Sequence, residues 1–215
     1  KFGAMGCSKT AQALITKFNY EEKNLKVLLL KPSIDTRDGA DIVRSRIGLE
    51  AKAVVVAPED DIFALFAQQY FDRAAVIVDE CQFLKEKQVD QLAQIVIEYD
   101  IPVFCFGLST DFTTHLFEGS RRLFEIAESI TEIKSVCKCG KKATVNARVD
   151  NKGNVVFDGE QVVLGGNDRY VPMCRKCWLK EKAKQQADAA KKSKKSLTRN
   201  GVRVDNGVRL NNAFD

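Results

Sequence analysis

At 215 residues with 45% hydrophobic positions, the chain can bury one main core and a smaller second unit. Its longest apolar runs, such as Val27-Leu28-Leu29-Leu30, are far too short to cross a bilayer, and no signal peptide is visible, so neither a membrane span nor secretion is expected. The net charge of +5 sits at one end: residues 178–215 hold ten Lys or Arg against four Asp or Glu, a balance of +6 that leaves −1 for residues 1–177. A solvated helix over residues 180–195 running into a disordered end is the reading favoured over a nucleic-acid arm.

In chain order, the first feature is Gly3-Ala4-Met5-Gly6-Cys7-Ser8-Lys9-Thr10, which has the spacing of G-x-x-x-x-G-K-[ST]. Such a loop curls backbone N–H groups round an anion, its lysine reaches the outer phosphates, and the hydroxyl after it takes a place on Mg²⁺. It points to a nucleoside triphosphate. Ser8 departs from the pattern where a glycine belongs, so it could crowd the phosphate or demand an unusual backbone angle that Gly6 relieves. The strand that should feed this loop is nearly absent before Lys1-Phe2, and a further N-terminal segment is expected.

A helix is predicted over 11–18, strands over 25–31 and 53–56, a helix over 60–71, a strand over 74–78, a helix over 88–99 and a strand over 103–106. The 88–99 helix carries apolar residues at Val89, Leu92, Ile95 and Val96. Alternating helix and strand imply right-handed crossovers and a mostly parallel sheet. The 74–78 strand is a continuous apolar run that leads into Asp79 and Glu80, as a central strand covered on both faces would. Ligands in open α/β sheets bind beyond the carboxyl ends of such strands, so Asp79 is expected to reach Mg²⁺ and Glu80 to face the reacting group.

After residue 133 the pattern changes. Cys137-x-Cys139 and Cys174-x-x-Cys177 flank short strand-like pieces divided by turn signals at Asp150-Asn151-Lys152-Gly153 and Asp158-Gly159. Two hairpin ends each offering two thiolates read as a zinc ribbon, and four thiolates make the zinc structural. Disulfides compete with this reading, but Cys7, Cys81 and Cys105 lack obvious partners, as in a reducing cytosol. The expected architecture is therefore α/β, with a P-loop (RecA-like) sheet flanked by helices over 1–133, a zinc-ribbon or lasso domain over 134–178, and a basic tail over 179–215.

Taken together, the phosphate loop, Asp35-Thr36-Arg37, Asp79-Glu80-Cys81-Gln82-Phe83, Phe106-Gly107-Leu108-Ser109-Thr110-Asp111-Phe112, the four cysteines and Gly165-Gly166-Asn167-Asp168-Arg169-Tyr170 resemble the zinc-containing, cytosolic, tetrameric type of thymidine kinase. The resemblance covers nearly the whole chain before the tail. It implies transfer of the ATP γ-phosphoryl group to the 5′-hydroxyl of thymidine in nucleotide salvage, with ATP, Mg²⁺ and structural Zn²⁺ as cofactors. It also implies a homotetramer, dTTP feedback and a cytoplasmic location, with no membrane or nucleic-acid partner.

Carried over position by position, the resemblance makes Glu80 the general base and gives Lys9 and Arg148 catalytic charges. Gly3, Ala4, Met5, Gly6, Cys7, Ser8, Lys9 and Thr10 would hold ATP, joined by Asp35, Arg37, Asp79 and Gln82. Met5, Leu108, Phe112, Val163, Gly165, Gly166 and Tyr170 would hold thymidine, mainly through main-chain amides reading its polar edge. Cys137, Cys139, Cys174 and Cys177 would bind the zinc. Two rivals remain from the residues alone: another P-loop phosphotransferase or ATPase, and a zinc-ribbon nucleic-acid-binding protein with an inert loop. His115, the sole histidine, is assigned no chemistry.

Overall fold

The computed structural model describes residues 1–35, 39, 41–161 and 169–199, by backbone alone at 169 and 192–199. Residues 1–178 form one compact unit and residues 179–215 a second.

In the first unit, β1 (Val27–Pro32), β4 (Val54–Val56), β5 (Ala75–Val78) and β6 (Val103–Cys105) form a parallel sheet in the order β4-β1-β5-β6. The parallel sheet matches the expectation because β1 and β5 are buried along their whole length, which only a sheet covered on both faces allows. Side chains alternate across a strand, and the core divides accordingly. Leu28 and Leu30 pack with Ile62, Phe66, Val89, Leu92 and Ile95 from the helices α2 (Ile62–Gln69) and α3 (Glu86–Tyr99). Val27 and Leu29 pack on the opposite face with Ala13 and Leu14 of α1 (Lys9–Glu21).

Helix α2 starts two residues later than predicted because Asp61 caps it, its carboxylate accepting from the Ala64 N–H at 2.8 Å; an Asp cap satisfies a donor that the first turn leaves open. Three elements lie outside the sequence expectations. A hairpin, β2 (Ile42–Arg44) and β3 (Glu50–Lys52), projects between β1 and β4. A 3-10 turn, Cys81–Phe83, follows β5, and helix α4 (Glu118–Ile126) follows β6. The hairpin is rooted by Val43, which packs in the α1 core, and by the buried Lys31, whose ammonium donates to the Ile42 carbonyl at 2.9 Å.

Residues 134–178 hold a two-stranded pair, β7 (Ser135–Val136) with β8 (Lys142–Ala143), and an antiparallel sheet β10-β9-β11. Its strands are β9 (Val145–Val149), β10 (Val155–Val156) and β11 (Arg169–Met173). Trp178 packs edge-on against Phe157 with ring centroids 5.3 Å apart. Helix α5 (Arg175–Arg199) begins at the second cysteine pair and covers the helix expected at 180–195. The helix runs on through residues 196–199, where the disordered end is expected to have begun, and the rest of that end, residues 200–215, lies outside the described residues. Among the described residues no helix is long and apolar enough to cross a membrane.

Candidate active site

The phosphate loop bends where its sequence allows. Gly6 has φ +76°, a left-handed conformation that glycine adopts without steric cost. Ser8, the irregular position of the motif, is also left-handed at φ 65° and ψ 30°, where a side chain costs about 1–2 kcal/mol. From that bend the chain enters α1, so the amino end of a 13-residue helix and its positive dipole face the loop. The Lys9 ammonium is buried and donates to the Gly3 and Ala4 carbonyls at 3.0 and 3.2 Å. Replacing Ser8 with Gly is expected to stabilise the fold by about 0.5–1 kcal/mol and raise Tm by about 1–4 °C in a thermal melt. A lower Tm would mean that the serine side chain makes contacts outweighing its backbone strain.

Beside the loop is a cavity of about 590 Å³. Met5, Gly6, Ser8, Lys9 and Thr10 line one wall, and Asp35, Asp79, Glu80 and Leu108 line the others. These predicted residues therefore meet. Asp79 and Glu80 arrive from the carboxyl end of β5, where Glu80 takes φ 50° and ψ 38°. Its carboxylate accepts from the Gln82 amide at 2.6 Å, and the Gln82 carbonyl oxygen accepts from the Leu108 N–H at 2.9 Å. Gln82 thus orients Glu80 and does not itself line the cavity. Asp35, at the end of β1, pairs with Lys31 at 3.4 Å, both side chains buried. The hydroxyl of Thr10 with the carboxylates of Asp35 and Asp79 makes an all-oxygen donor set on one cavity, which suits a hard divalent cation such as Mg²⁺.

Sequence reasoning missed Arg44, Ser45 and Arg46, which line the same cavity from the β2–β3 turn. Arg44 is paired with Glu50 at 2.9 Å, while Arg46 makes no ion pair among the described residues. A methyl group on Gly6 would lie 3.5 Å from the Arg46 guanidinium, which puts that cation over the phosphate loop. Basic residues beside a Gly-containing turn, Arg44-Ser45-Arg46-Ile47-Gly48, were the signal available.

Other expected residues lie elsewhere. Gly3, Ala4 and Cys7 belong to the loop but sit behind it, Cys7 with its sulfur 3.7 Å from the Lys9 ammonium. Arg148 does not line the cavity. It is buried on β9 with its guanidinium 3.8 Å above the ring of the buried Phe112, and it donates to the Asp158 and Glu160 carbonyls at 3.2 and 3.0 Å. Tyr170 is half-buried and pairs with Arg148 across β9 and β11. Arg37, Val163, Gly165 and Gly166 lie outside the described residues. Asp111 fixes the loop between Leu108 and Phe117 by accepting from Thr113, from the His115 N–H at 3.0 Å and from Gln161 at 2.9 Å. Burial opposes ionisation of Asp111, but these donors, Thr113 first, outweigh it and hold the carboxyl below its ordinary value.

The sulfurs of Cys137, Cys139, Cys174 and Cys177 all lie within 4.8 Å of one another. Four sulfurs about 2.3 Å from one tetrahedral ion stand slightly closer together than that limit, so the set fits a structural Zn²⁺. The first pair sits on the β7–β8 turn, closed by the Cys137 N–H to the Lys141 carbonyl at 2.7 Å. The backbone N–H of Cys139 leads the donors that lower Cys137 to about 6 against its burial. Hydrogen bonding of its thiol to the neighbouring sulfurs, Cys139 first and then Cys174, together with burial, pushes Cys177 up to about 12. Ala4 packs directly among Cys137, Ala143 and Cys174, so the cluster buttresses the phosphate loop.

A parallel sheet that carries a phosphate loop, with two consecutive acids meeting it at the carboxyl edge, defines a P-loop nucleotide site of the kind that phosphotransferases and ATPases share. The model of the family described as thymidine kinase matches residues 1–178. Thymidine kinase of Enterobacteria phage T4 is 46% identical over 179 residues, 82% of this chain and 92% of the phage protein. Those of Streptococcus pyogenes serotype M3 and Streptococcus agalactiae serotype Ia are 44% and 43% identical over 177 residues, 82% of this chain and 93% of each relative. The chain belongs to the thymidine kinase family.

Proposed function

We propose that this protein transfers the γ-phosphoryl group of ATP to the 5′-hydroxyl of thymidine, yielding dTMP and ADP, with Glu80 as the general base. The observation that carries this reading is the meeting of Lys9, Asp79 and Glu80 on one cavity. Phosphoryl transfer needs in-line positioning and neutralisation of charge more than covalent chemistry. Glu80, held by Gln82, accepts the proton of the 5′-hydroxyl as that oxygen attacks phosphorus. Lys9 leaves the Gly3 and Ala4 carbonyls to meet the phosphates, and the amino end of α1 receives the same charge. Thr10 and Asp79 would hold Mg²⁺, with Asp35 alongside; the bound ion would neutralise charge on the phosphates.

Arg46 supplies the mobile positive charge in place of Arg148, whose guanidinium is committed to Phe112 and two carbonyls. Arg46→Ala is expected to lower kcat on the order of 10²-fold with little change in the KM for thymidine, read by steady-state kinetics. An unchanged kcat would remove Arg46 from the reaction.

Thymidine is taken by Met5 and Leu108 at the cavity, together with Phe112, Val163, Gly165, Gly166 and Tyr170. In this reading residues 1–133 bind ATP, residues 134–178 bind the nucleoside and Zn²⁺, and residues 179–215 are an appendage. The homotetramer, dTTP feedback and cytoplasmic location that the family resemblance implies belong to the same proposal.

The decisive experiment is ATP-dependent phosphorylation across a panel of deoxynucleosides, with zinc measured in the same preparation. Thymidine-dependent ATP consumption is expected. ATP turnover indifferent to thymidine would replace this reading with another phosphotransferase or ATPase.

A further inference from the structure

Asn146 lies in the middle of β9, is 3% exposed, and does not line the cavity. Its carboxamide joins two remote segments. The oxygen accepts from the Met5 N–H at 2.8 Å, and the nitrogen donates to the Thr110 carbonyl at 2.9 Å. Side chains two apart share one face of a strand, so Asn146 stands beside Arg148, which covers Phe112. One face of β9 therefore grips the 108–112 segment twice and the phosphate loop once.

The contact at Met5 falls on a sensitive bond. The Met5 N–H and the Ala4 carbonyl belong to one rigid peptide unit; Asn146 holds its N–H end, and Lys9 holds its carbonyl end at 3.2 Å. An anion that draws the Lys9 ammonium away removes one of the two anchors of that plane. The other anchor continues through Asn146 to Thr110, two residues beyond Leu108, whose own N–H is bound by the Gln82 side chain that orients Glu80. An unbroken series of polar contacts and short backbone steps thus runs from the phosphate loop to the base.

We propose that Asn146 is a positioning residue that couples occupancy of the phosphate loop to the posture of the nucleoside-binding 108–112 segment. The inference rests on the proposed function, since it needs both a triphosphate and a nucleoside at this cavity. Coupling of this kind is reciprocal, so each ligand changes the affinity of the other by the same factor, about 5- to 150-fold in typical cases.

The test is calorimetric titration of thymidine with and without a saturating non-hydrolysable ATP analogue, and of the analogue with and without thymidine. Wild type, Asn146→Ala and Asn146→Asp are compared. Wild type is expected to show one shared coupling factor of about 5-fold or more, and Asn146→Ala a factor within twofold of unity. Asn146→Asp keeps the oxygen that accepts from Met5 but loses the donor to Thr110. The new carboxylate stands beside the phosphate loop, so analogue binding is expected to weaken; the coupling, a ratio of affinities read independently of that weakening, is expected to be lost, and this variant serves should the alanine variant fail to fold. General loosening of the fold weakens both ligands without removing their mutual effect. Coupling retained in either variant, or two ligands binding wild type independently, overturns the proposal while leaving the kinase reading intact. A wild type that binds no thymidine sinks both.

Discussion

Glu80→Gln is expected to lower kcat by on the order of 10² or more while ATP analogue binding stays at its wild-type strength. A glutamine at 80 retains the shape of the side chain and an oxygen that can still accept from Gln82, as the carboxylate does at 2.6 Å. The left-handed backbone there, at φ 50°, is no worse for glutamine than for glutamate. The fold and the triphosphate contacts therefore persist, and what disappears is a group able to take a proton from the attacking hydroxyl. Steady-state kinetics with thymidine, beside calorimetry of the analogue, separates the two quantities. Undiminished turnover would remove Glu80 as the base, and loss of analogue binding would give it a role in holding the nucleotide.

The second large effect is expected on metal removal. Stripping zinc with a strong chelator, or replacing Cys174 with Ser, should lower Tm and reduce thymidine turnover by tenfold or more. Four sulfurs within 4.8 Å of one another are held together by a metal far better than by thiol contacts, and structural zinc contributes folding free energy outright. The damage should spread beyond the ribbon, because Ala4 of the phosphate loop packs against Cys137 and Cys174. Metal analysis, a thermal melt and the kinase assay read the three parts. A preparation with no zinc and full activity would limit the cysteines to a metal-free role.

The parts of the fold visible in the sequence were those where one force dominates. Continuous burial made β1 and β5 legible as apolar runs, and a helical stripe through Val89, Leu92 and Ile95 made α3 legible. Helix α4 was hidden because Gly119 and Ser120 in its first turn are poor helix formers. The glycine is there for packing, since a Cβ would approach the Leu84 carbonyl to 2.6 Å. Strands β2 and β3 have three residues each and carry charges, too short for periodicity to register, and so Arg46 went unnoticed with them. At the site, Lys9, Thr10, Asp79 and Glu80 were legible because phosphate and metal chemistry fixes residue type and spacing. The direction of the Arg148 side chain was not, since it depends on Phe112 and on two carbonyls that only folding brings near.

Trp178, the sole tryptophan of the chain, follows Cys177 directly, is 4% exposed, and rests against Phe157. An indole in that setting emits at short wavelength and shifts to the red when water reaches it. Intrinsic fluorescence therefore watches a single place, the packing of Trp178 on Phe157 beside the second cysteine pair, and can follow exposure of that indole in real time without any attached dye.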